Sequence, residues 1–172
     1  MKLLATIAAG GLAALALPTA APSATLGADA AACQNGQGPA ILANITGLKD
    51  RKGIVRLELY PDNADDFLQD DYILEQAGKT FRRVDAKIPA SGPVSLCIKV
   101  PKSGRYTLMF LHDRDSNGKF GAFSDGAGFP TNTKLGRRKP PADIAMINVS
   151  GVTQTDIRAQ YLRGLSGFGP LK

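Results

Sequence analysis

The sequence has no tryptophan, a single histidine and only two cysteines among its 172 residues. These counts exclude a zinc finger built from one chain, an iron–sulfur cluster held by four cysteines and a zinc centre held by three histidines. Beyond residue 30 the chain has no apolar run long enough to span a bilayer, so we expect no transmembrane segment in the mature protein. The strand motif of aromatic and basic residues that binds RNA is also missing, and we expect no nucleic-acid partner.

Residues 1–30 have the pattern of an export signal. Lys2 precedes about 15 uncharged, mostly apolar residues, a stretch shorter than a membrane-spanning helix needs, and a segment of small residues follows. Removal of residues 1–30 takes away one cation and one acid, so the net charge of the chain stays at +6. We predict a signal peptide over residues 1–30 and a periplasmic or secreted protein. Two tripeptides fit the small-x-small cleavage pattern, the second less well because Pro22 follows it: Ala28-Asp29-Ala30 and Thr19-Ala20-Ala21.

The two cysteines, Cys33 and Cys97, have two alternative roles. In an oxidising compartment a lone pair of cysteines usually forms a disulfide. Because of the length of chain between them, this bond would stabilise the fold by roughly 4 kcal/mol. Alternatively, Cys33 with the three alanines before it is a lipid-attachment site, which would leave Cys97 unpaired. The disulfide fits better, because a lipid-attachment site usually has a large apolar residue three positions before the cysteine.

Most of the remaining chain alternates apolar and polar residues with a period of two, which predicts β-strands. In residues 53–60, three aliphatic side chains share one face, whereas Arg56 and Glu58 share the other, so we expect a half-buried strand. Residues 105–112 are apolar on both faces, which is typical of a central strand. Seven strands are predicted: 41–46, 53–60, 80–88, 93–100, 105–112, 144–149 and 153–162.

Turn-forming residues separate these seven segments, and the pattern predicts one all-β domain over residues 33–162. The fold we expect is a single antiparallel β-sandwich, immunoglobulin-like or transthyretin-like, with an open β-barrel as the alternative. Residues 63–76 have helical spacing, although they could equally form a surface loop. Residues 163–172 are predicted to be a C-terminal tail.

A long segment without strand or helix periodicity, residues 113–142, breaks the β pattern. Such loops are uncommon in compact domains unless they are functional or disordered, and the phenylalanines of this one indicate an ordered loop. At its start, acidic and amide side chains at alternate positions precede Gly118, as in the first half of a calcium-binding loop. We therefore predict one long ordered loop with a weak calcium site. Its ligands would be the side chains of Asp113, Asp115, Asn117 and Asp125 and the main-chain carbonyl of Lys119.

A tight turn without any metal explains the same residues equally well. Asn117-Gly118 is a strong turn signal, and aspartate and serine side chains accept hydrogen bonds from turn backbone without an ion. The calcium pattern is also incomplete, because its twelfth position holds Ser124 and not a bidentate glutamate. Both interpretations stay open.

His112 is the only imidazole, so any acid–base mechanism that needs one must use it. A hydrolase centred on His112, Asp113 and Asp115 is the enzymatic alternative. A histidine that bonds a loop carbonyl is the commoner case, and we predict no enzymatic activity and no catalytic residue. The basic residues that precede Pro140 could contact an anionic component of the cell envelope or form a solvated loop. They are Lys134, Arg137, Arg138 and Lys139.

Residues 106–132 resemble the signature of a secreted bacterial family called domain of unknown function 2141. The similar features are the strand that ends in His112-Asp113, the Asn117-Gly118-Lys119 turn, the segment 128–132, the strands at 53–60 and 96–98, and the early Cys33. The resemblance implies an exported β-sandwich and brings no established activity. We expect a non-catalytic binding or accessory module of the cell envelope; the alternatives are the hydrolase and a lipoprotein anchored at Cys33.

Overall fold

The computed structural model describes residues 24–171, so residues 1–23, which hold most of the predicted signal peptide, lie outside the described part. The described chain is mostly β, which confirms the all-β prediction, and it contains two sheets. Each of the seven predicted segments contains strand. The strands are β1 (Thr25–Leu26), β2 (Ala40–Thr46), β3 (Ile54–Tyr60), β4 (Arg82–Lys87), β5 (Val94–Lys99), β6 (Gly104–Asp113), β7 (Gly126–Gly128), β8 (Met146–Val149), β9 (Val152–Arg158), β10 (Gln160–Leu162) and β11 (Phe168–Pro170).

The four-stranded sheet has the order β1-β5-β2-β9. β2 pairs antiparallel with β5 through the register Leu42 to Cys97. The same strand pairs parallel with β9, and β1 pairs parallel with β5. This sheet is therefore mixed, whereas alternation within single segments led us to expect antiparallel pairing throughout. A parallel partner needs a long crossover, and here the six strands β3 to β8 lie between β2 and β9 along the chain.

The seven-stranded sheet follows the path β11-β10-β7-β6-β3-β4, and β8 pairs with β6 beside that path. β6 is the central strand of this sheet, because it pairs with three other strands. β3 pairs with most of β6 along one edge, and β7 and β8 pair with the two ends of β6 along the other edge. At the end of this pairing, Gly53 has a φ of 75°, and a Cβ there would lie 2.1 Å from the carbonyl oxygen of Asp113. Only glycine allows the two chains to approach so closely at this backbone angle.

One apolar core is shared by the two sheets. Alternate residues of each strand point into it, which is the consequence of period-two patterning. Its largest fully buried members are Ile41, Leu96, Ile98 and Ile157 from the four-stranded sheet and Leu57, Leu59, Leu108 and Phe110 from the seven-stranded sheet.

The other face of the seven-stranded sheet is also covered, by the connections that follow β3 and β7. A second apolar cluster forms there, in which Met109 and Leu111 of β6 meet Phe67, Leu74 and Phe129. Arg56 and Glu58, which point to this face, are consequently 6 % and 7 % exposed. The expectation of a half-buried strand is wrong for β3, because the period of a strand shows where a side chain points and not what covers it.

The helix predicted over residues 63–76 is only partly present. Helix α2 covers Asp71–Gln76, and the residues before it form turns. The side-chain oxygen of Asn63 accepts a hydrogen bond from the amide of Asp66, and Leu68 has a positive φ of 60°. A side-chain hydrogen bond to the local backbone competes with a helix, which explains the late start of α2.

Cys33 and Cys97 form a disulfide with a Cα–Cα distance of 6.0 Å. It ties helix α1 (Ala30–Gln34) onto β5 and covers the outer side of that strand, so Cys97 is fully buried. Lipid attachment would need the same sulfur atom of Cys33, and the two arrangements exclude each other. Among residues 24–171, no helix is long and apolar enough to cross a membrane.

Both ends of the described chain pack against the sheets. β11, which lies in the segment predicted to be a tail, pairs with β10, so the sheet continues beyond the expected boundary at residue 162. Its short Phe-Gly-Pro sequence carries no alternation that could have indicated a strand. At the other end, the Asp29 carboxylate accepts hydrogen bonds from the Arg82 guanidinium and the Lys99 amide, both at 2.8 Å.

The contacts of residues 24–30 predict that these residues stabilise the fold. A chain that begins at Ala31 should unfold at a lower temperature than one that begins at Ala24, because it loses β1 and both bonds to Asp29. We expect a loss of about 2 kcal/mol in the free energy of unfolding, measured by urea or thermal denaturation. An Asp29→Ala variant of the longer chain should show part of this loss. Equal stability of the two chains would contradict the prediction.

Candidate functional site

His112 lies near the end of β6 and is completely buried. Its Nε2 lies 2.8 Å from the carbonyl oxygen of Lys52 and its Nδ1 lies 2.6 Å from the hydroxyl of Tyr161. A carbonyl can only accept, so Nε2 carries the proton, and the Tyr161 hydroxyl donates to Nδ1. The main-chain amide of Lys49 in turn donates to this hydroxyl. The imidazole therefore connects β6, β10 and the segment before β3.

Burial lowers the pKa of His112 below its usual 6.5, and the hydrogen bond to Lys52 opposes this shift only in part. The same burial raises the pKa of Tyr161 to about 12. Both rings are thus neutral near pH 7, as the hydrogen bonds between them require. His112 has no contact with solvent, which fits the structural role expected for it.

The predicted calcium ligands are partly brought together. Asp113, Asp115 and Asp125 each place a carboxylate oxygen within 4.8 Å of the others. Asp113 is buried and accepts the amides of Asn117 and Gly118 at 3.2 and 2.9 Å. Asp125 is also buried and accepts the main-chain amides of Arg114 and Gly121 at 3.0 and 2.8 Å. Asp115 is exposed and receives the side-chain amide of Asn117. Backbone amides thus account for the conformation of this loop.

The other two predicted ligands are Asn117 and Lys119. The side-chain oxygen of Asn117 accepts the main-chain amide of Lys119 at 2.7 Å, as in an Asx turn, and Lys119 lines a neighbouring cleft. Within residues 24–171, no side-chain nitrogen of lysine, arginine or histidine lies within 4.0 Å of the three clustered carboxylates. The cation nearest in sequence, Arg114, instead binds Asp50 and the carbonyl of Ser124 and holds the pKa of Asp50 below its usual value.

An open cleft of about 910 Å³ lies over the covered face of the seven-stranded sheet. Three segments surround it: residues 68–72 before and within α2, residues 118–122 of the long loop, and residues 135–140. The long loop is not structureless throughout, because it contains β7, a Gly-Ala-Gly strand too short to show alternation. β7 pairs with β6 and β10 and forms part of the floor of the cleft.

Paired charges form the polar part of the floor. Arg56 makes two bonds to Asp85, of 2.6 and 2.9 Å, and donates to the carbonyl of Gly118. The Glu58 carboxylate receives Arg83 at 2.7 Å and the Tyr60 hydroxyl at 2.6 Å. Burial and the adjacent Glu58 raise the pKa of Tyr60, so its hydroxyl stays protonated. These bonds satisfy charges that would otherwise be costly to bury.

Apolar and basic groups form the walls and the rim of the cleft. Phe120, 48 % exposed, packs against Phe168 with ring centroids 5.7 Å apart and stands at the opening. Met109, Leu111 and Phe129 form the apolar part of the interior. The cations at the rim are Lys119, Arg137, Arg138 and Lys139.

The sequence indicated these cleft residues only in part. The basic run was recognised as a candidate contact for an anionic component, and three of its four members, all except Lys134, do line the cleft. Arg56 and Glu58 are predicted to share the polar face of a half-buried strand, and neither they nor Arg83 are predicted to form a site. Their pairing across β3 and β4, Arg56 with Asp85 and Glu58 with Arg83, was the available signal. Such cross-strand charge pairs occur on exposed sheets as well and do not identify a cleft.

Comparison with known proteins identifies the family of this chain. Residues 43–158, more than half of the chain, match domain of unknown function 2141, described as an uncharacterized protein conserved in bacteria. The chain therefore belongs to this family, as the resemblance of residues 106–132 had indicated. No curated protein and no solved structure matches the chain.

The lowered pKa of His112 predicts a pH dependence of stability. The unfolded chain binds a proton near the usual pKa of 6.5, whereas the folded chain resists it. In thermal unfolding, stability should be full well above pH 6.5 and should fall as the pH drops through 6.5 toward the lowered pKa of the folded chain. The pKa of Asp50 is also lowered, but this carboxyl changes the stability only at a pH below its usual pKa of 3.8. An His112→Asn variant should lose most of the slope, and an unchanged slope would refute the assignment.

Proposed function

We propose that this protein is an exported, non-catalytic binding module of the bacterial cell envelope, and that the cleft over the seven-stranded sheet is its binding site. The observation that carries the proposal is the cleft itself, about 910 Å³ in volume, with a floor of hydrogen-bonded charges and apolar walls. Small-molecule sites have this size and combine apolar lining with a few fixed polar groups. The leader pattern and the disulfide support export to an oxidising compartment, periplasmic or secreted.

The environment of His112 supports a non-catalytic role. Both of its ring nitrogens are bonded to protein groups, and neither it nor Asp113 lines the cleft. A hydrolase centred on these two residues would need a substrate to reach a side chain that has no exposed surface. The geometry therefore favours recognition over acid–base chemistry.

The architecture that we propose is a β-sandwich of immunoglobulin-like or transthyretin-like type. Its support is the apolar core that both sheets share. In sandwiches of this kind, loops at the ends and edges of the sheets carry the binding residues. The three segments around the cleft also belong to connections between strands, although they lie over the outer face of the seven-stranded sheet.

Ligand binding in the cleft can be tested with N-phenyl-1-naphthylamine, a neutral probe that fluoresces in apolar surroundings. We expect one probe per chain. Replacing Phe120 by aspartate should weaken binding by about tenfold or more, because the probe loses an aromatic contact at the opening. Phe123 is a matched control, since it lies on the same loop, is 93 % exposed and does not line the cleft.

Fluorescence titration of the wild type, Phe120→Asp and Phe123→Asp measures these affinities. Weaker binding only in Phe120→Asp supports the cleft. If the wild type does not bind the probe, or if both variants bind it equally well, the cleft is not the binding site.

A weak calcium site in the loop after β6 is a second candidate function. Its support is the convergence of Asp113, Asp115 and Asp125 without a cationic side chain beside them in the described chain. Three neighbouring carboxylates repel one another, and a divalent cation would relieve this repulsion. Millimolar affinity is expected, because the twelfth position of the pattern lacks the bidentate glutamate.

Thermal unfolding with calcium and with chelator tests this candidate. The melting temperature should rise with free calcium at concentrations of about 10⁻⁴ to 10⁻³ M. Asp115→Ala should remove the rise with little effect on the calcium-free protein, because Asp115 is exposed and both of its hydrogen bonds, from the main-chain and side-chain amides of Asn117, lie at the exposed surface. Asp143→Ala, another acidic residue of the 113–145 region, is the control. A melting temperature that calcium leaves unchanged would reduce this loop to a turn held by backbone amides.

A further inference from the structure

From the charges around the cleft we infer its ligand class: an amphipathic organic anion, with an acidic head group at the rim and an apolar body inside. The inference deepens the proposed function and rests on it. The inference is based on two properties of the cleft: the distribution of its unpaired charges and the position of its apolar surface.

The charges on the floor are already neutralised by the protein. Arg56 is bonded to Asp85, and Arg83 is bonded to both Glu58 and Asp71. A ligand charge at this depth would have to compete with pairs at 2.6 to 2.8 Å. An anion that displaced Glu58 from Arg83, or a cation that displaced Arg56 from Asp85, would leave a buried charge without its closest charged partner, which is strongly unfavourable. The floor thus offers no free charge for an ionic head group.

The charges at the rim are unpaired. Lys119, Arg137, Arg138 and Lys139 are exposed, and none forms an ion pair within 4.0 Å in the described chain. Asp70 and Asp71 belong to another wall, where Asp71 is held by Arg83. The field at the opening is therefore positive on the side of residues 135–140, and it attracts an anion there.

The interior next to this rim is apolar. Met109 and Leu111 of β6, Ala127 of β7 and Phe129 line it, and the Phe120–Phe168 pair stands beside the basic segment, because Gly136 pairs with Phe168. A small inorganic anion would leave this surface in water, and a neutral apolar molecule would not use the cations. A molecule with both parts matches both surfaces.

The inference is tested by displacement of N-phenyl-1-naphthylamine from the purified protein with three ligands of equal chain length. These are dodecanoate, dodecan-1-ol and dodecylammonium, which differ in head-group charge. Dodecanoate should displace the probe at a concentration about tenfold or more below that of the alcohol, and dodecylammonium should be the weakest. The preference for the acid should shrink as salt is added, because the cations are solvated.

The triple variant Arg137→Glu, Arg138→Glu and Lys139→Glu should abolish the preference for the acid and leave the affinity for dodecan-1-ol unchanged. A second triple variant, Lys87→Glu, Lys99→Glu and Lys102→Glu, changes the net charge equally at exposed residues outside the cleft and should retain the preference. The inferred ligand class is wrong if dodecanoate and dodecan-1-ol displace the probe equally well. It is also wrong if both triple variants lose the preference for dodecanoate to the same extent. The proposed function survives that result if the neutral probe binds, and it fails separately if the probe does not.

Discussion

The seven-stranded sheet must bury both of its faces, and the rest of the structure depends on this constraint. β6 is apolar on both sides: Leu108 and Phe110 enter the core shared with the four-stranded sheet, while Met109 and Leu111 lie under the connections on the other face. Exposure of either set would remove several large side chains from their apolar surroundings, at roughly 1.5 to 3 kcal/mol for each. The connections after β3 and β7 are therefore needed to bury the second face of the sheet. The cleft is the part of this face that they do not cover.

Burial of the second face also determines how its charges are arranged. Arg56 and Glu58 cannot be buried alone, because an unpaired charge in a low-dielectric site is strongly unfavourable. β4 supplies Asp85 and Arg83 directly opposite them, and the paired floor of the cleft is the result. The cations of residues 137–139 have no such partners in the described chain and stand at the opening. This division between paired floor and unpaired rim is the basis of the ligand class inferred above.

Prediction from the sequence succeeded where a local pattern corresponds to a single structure. Sequence patterns located strand in each of the seven predicted segments, although residues 153–162 divide into β9 and β10, which lie in different sheets. The lone pair Cys33 and Cys97 does form the disulfide. The prediction missed three short strands, β1, β7 and β11, since strands of two or three residues are too short to show alternation. It placed the start of α2 too early, because helical spacing does not reveal the competing hydrogen bond between Asn63 and Asp66.

The sequence by itself determined most of the strands, the direction of each side chain along them, the disulfide and the family, because these depend on period-two alternation, on cysteine number and on motifs within short segments. Only the tertiary structure decided which surface became a cleft. Arg56, Glu58 and Arg83 point away from the shared core in any sheet with this register. Whether these side chains are exposed to solvent or covered by loops depends on where residues 61–81 and 114–145 pack. Such packing arises from contacts between residues far apart along the chain, and alternation within one strand holds no information about them.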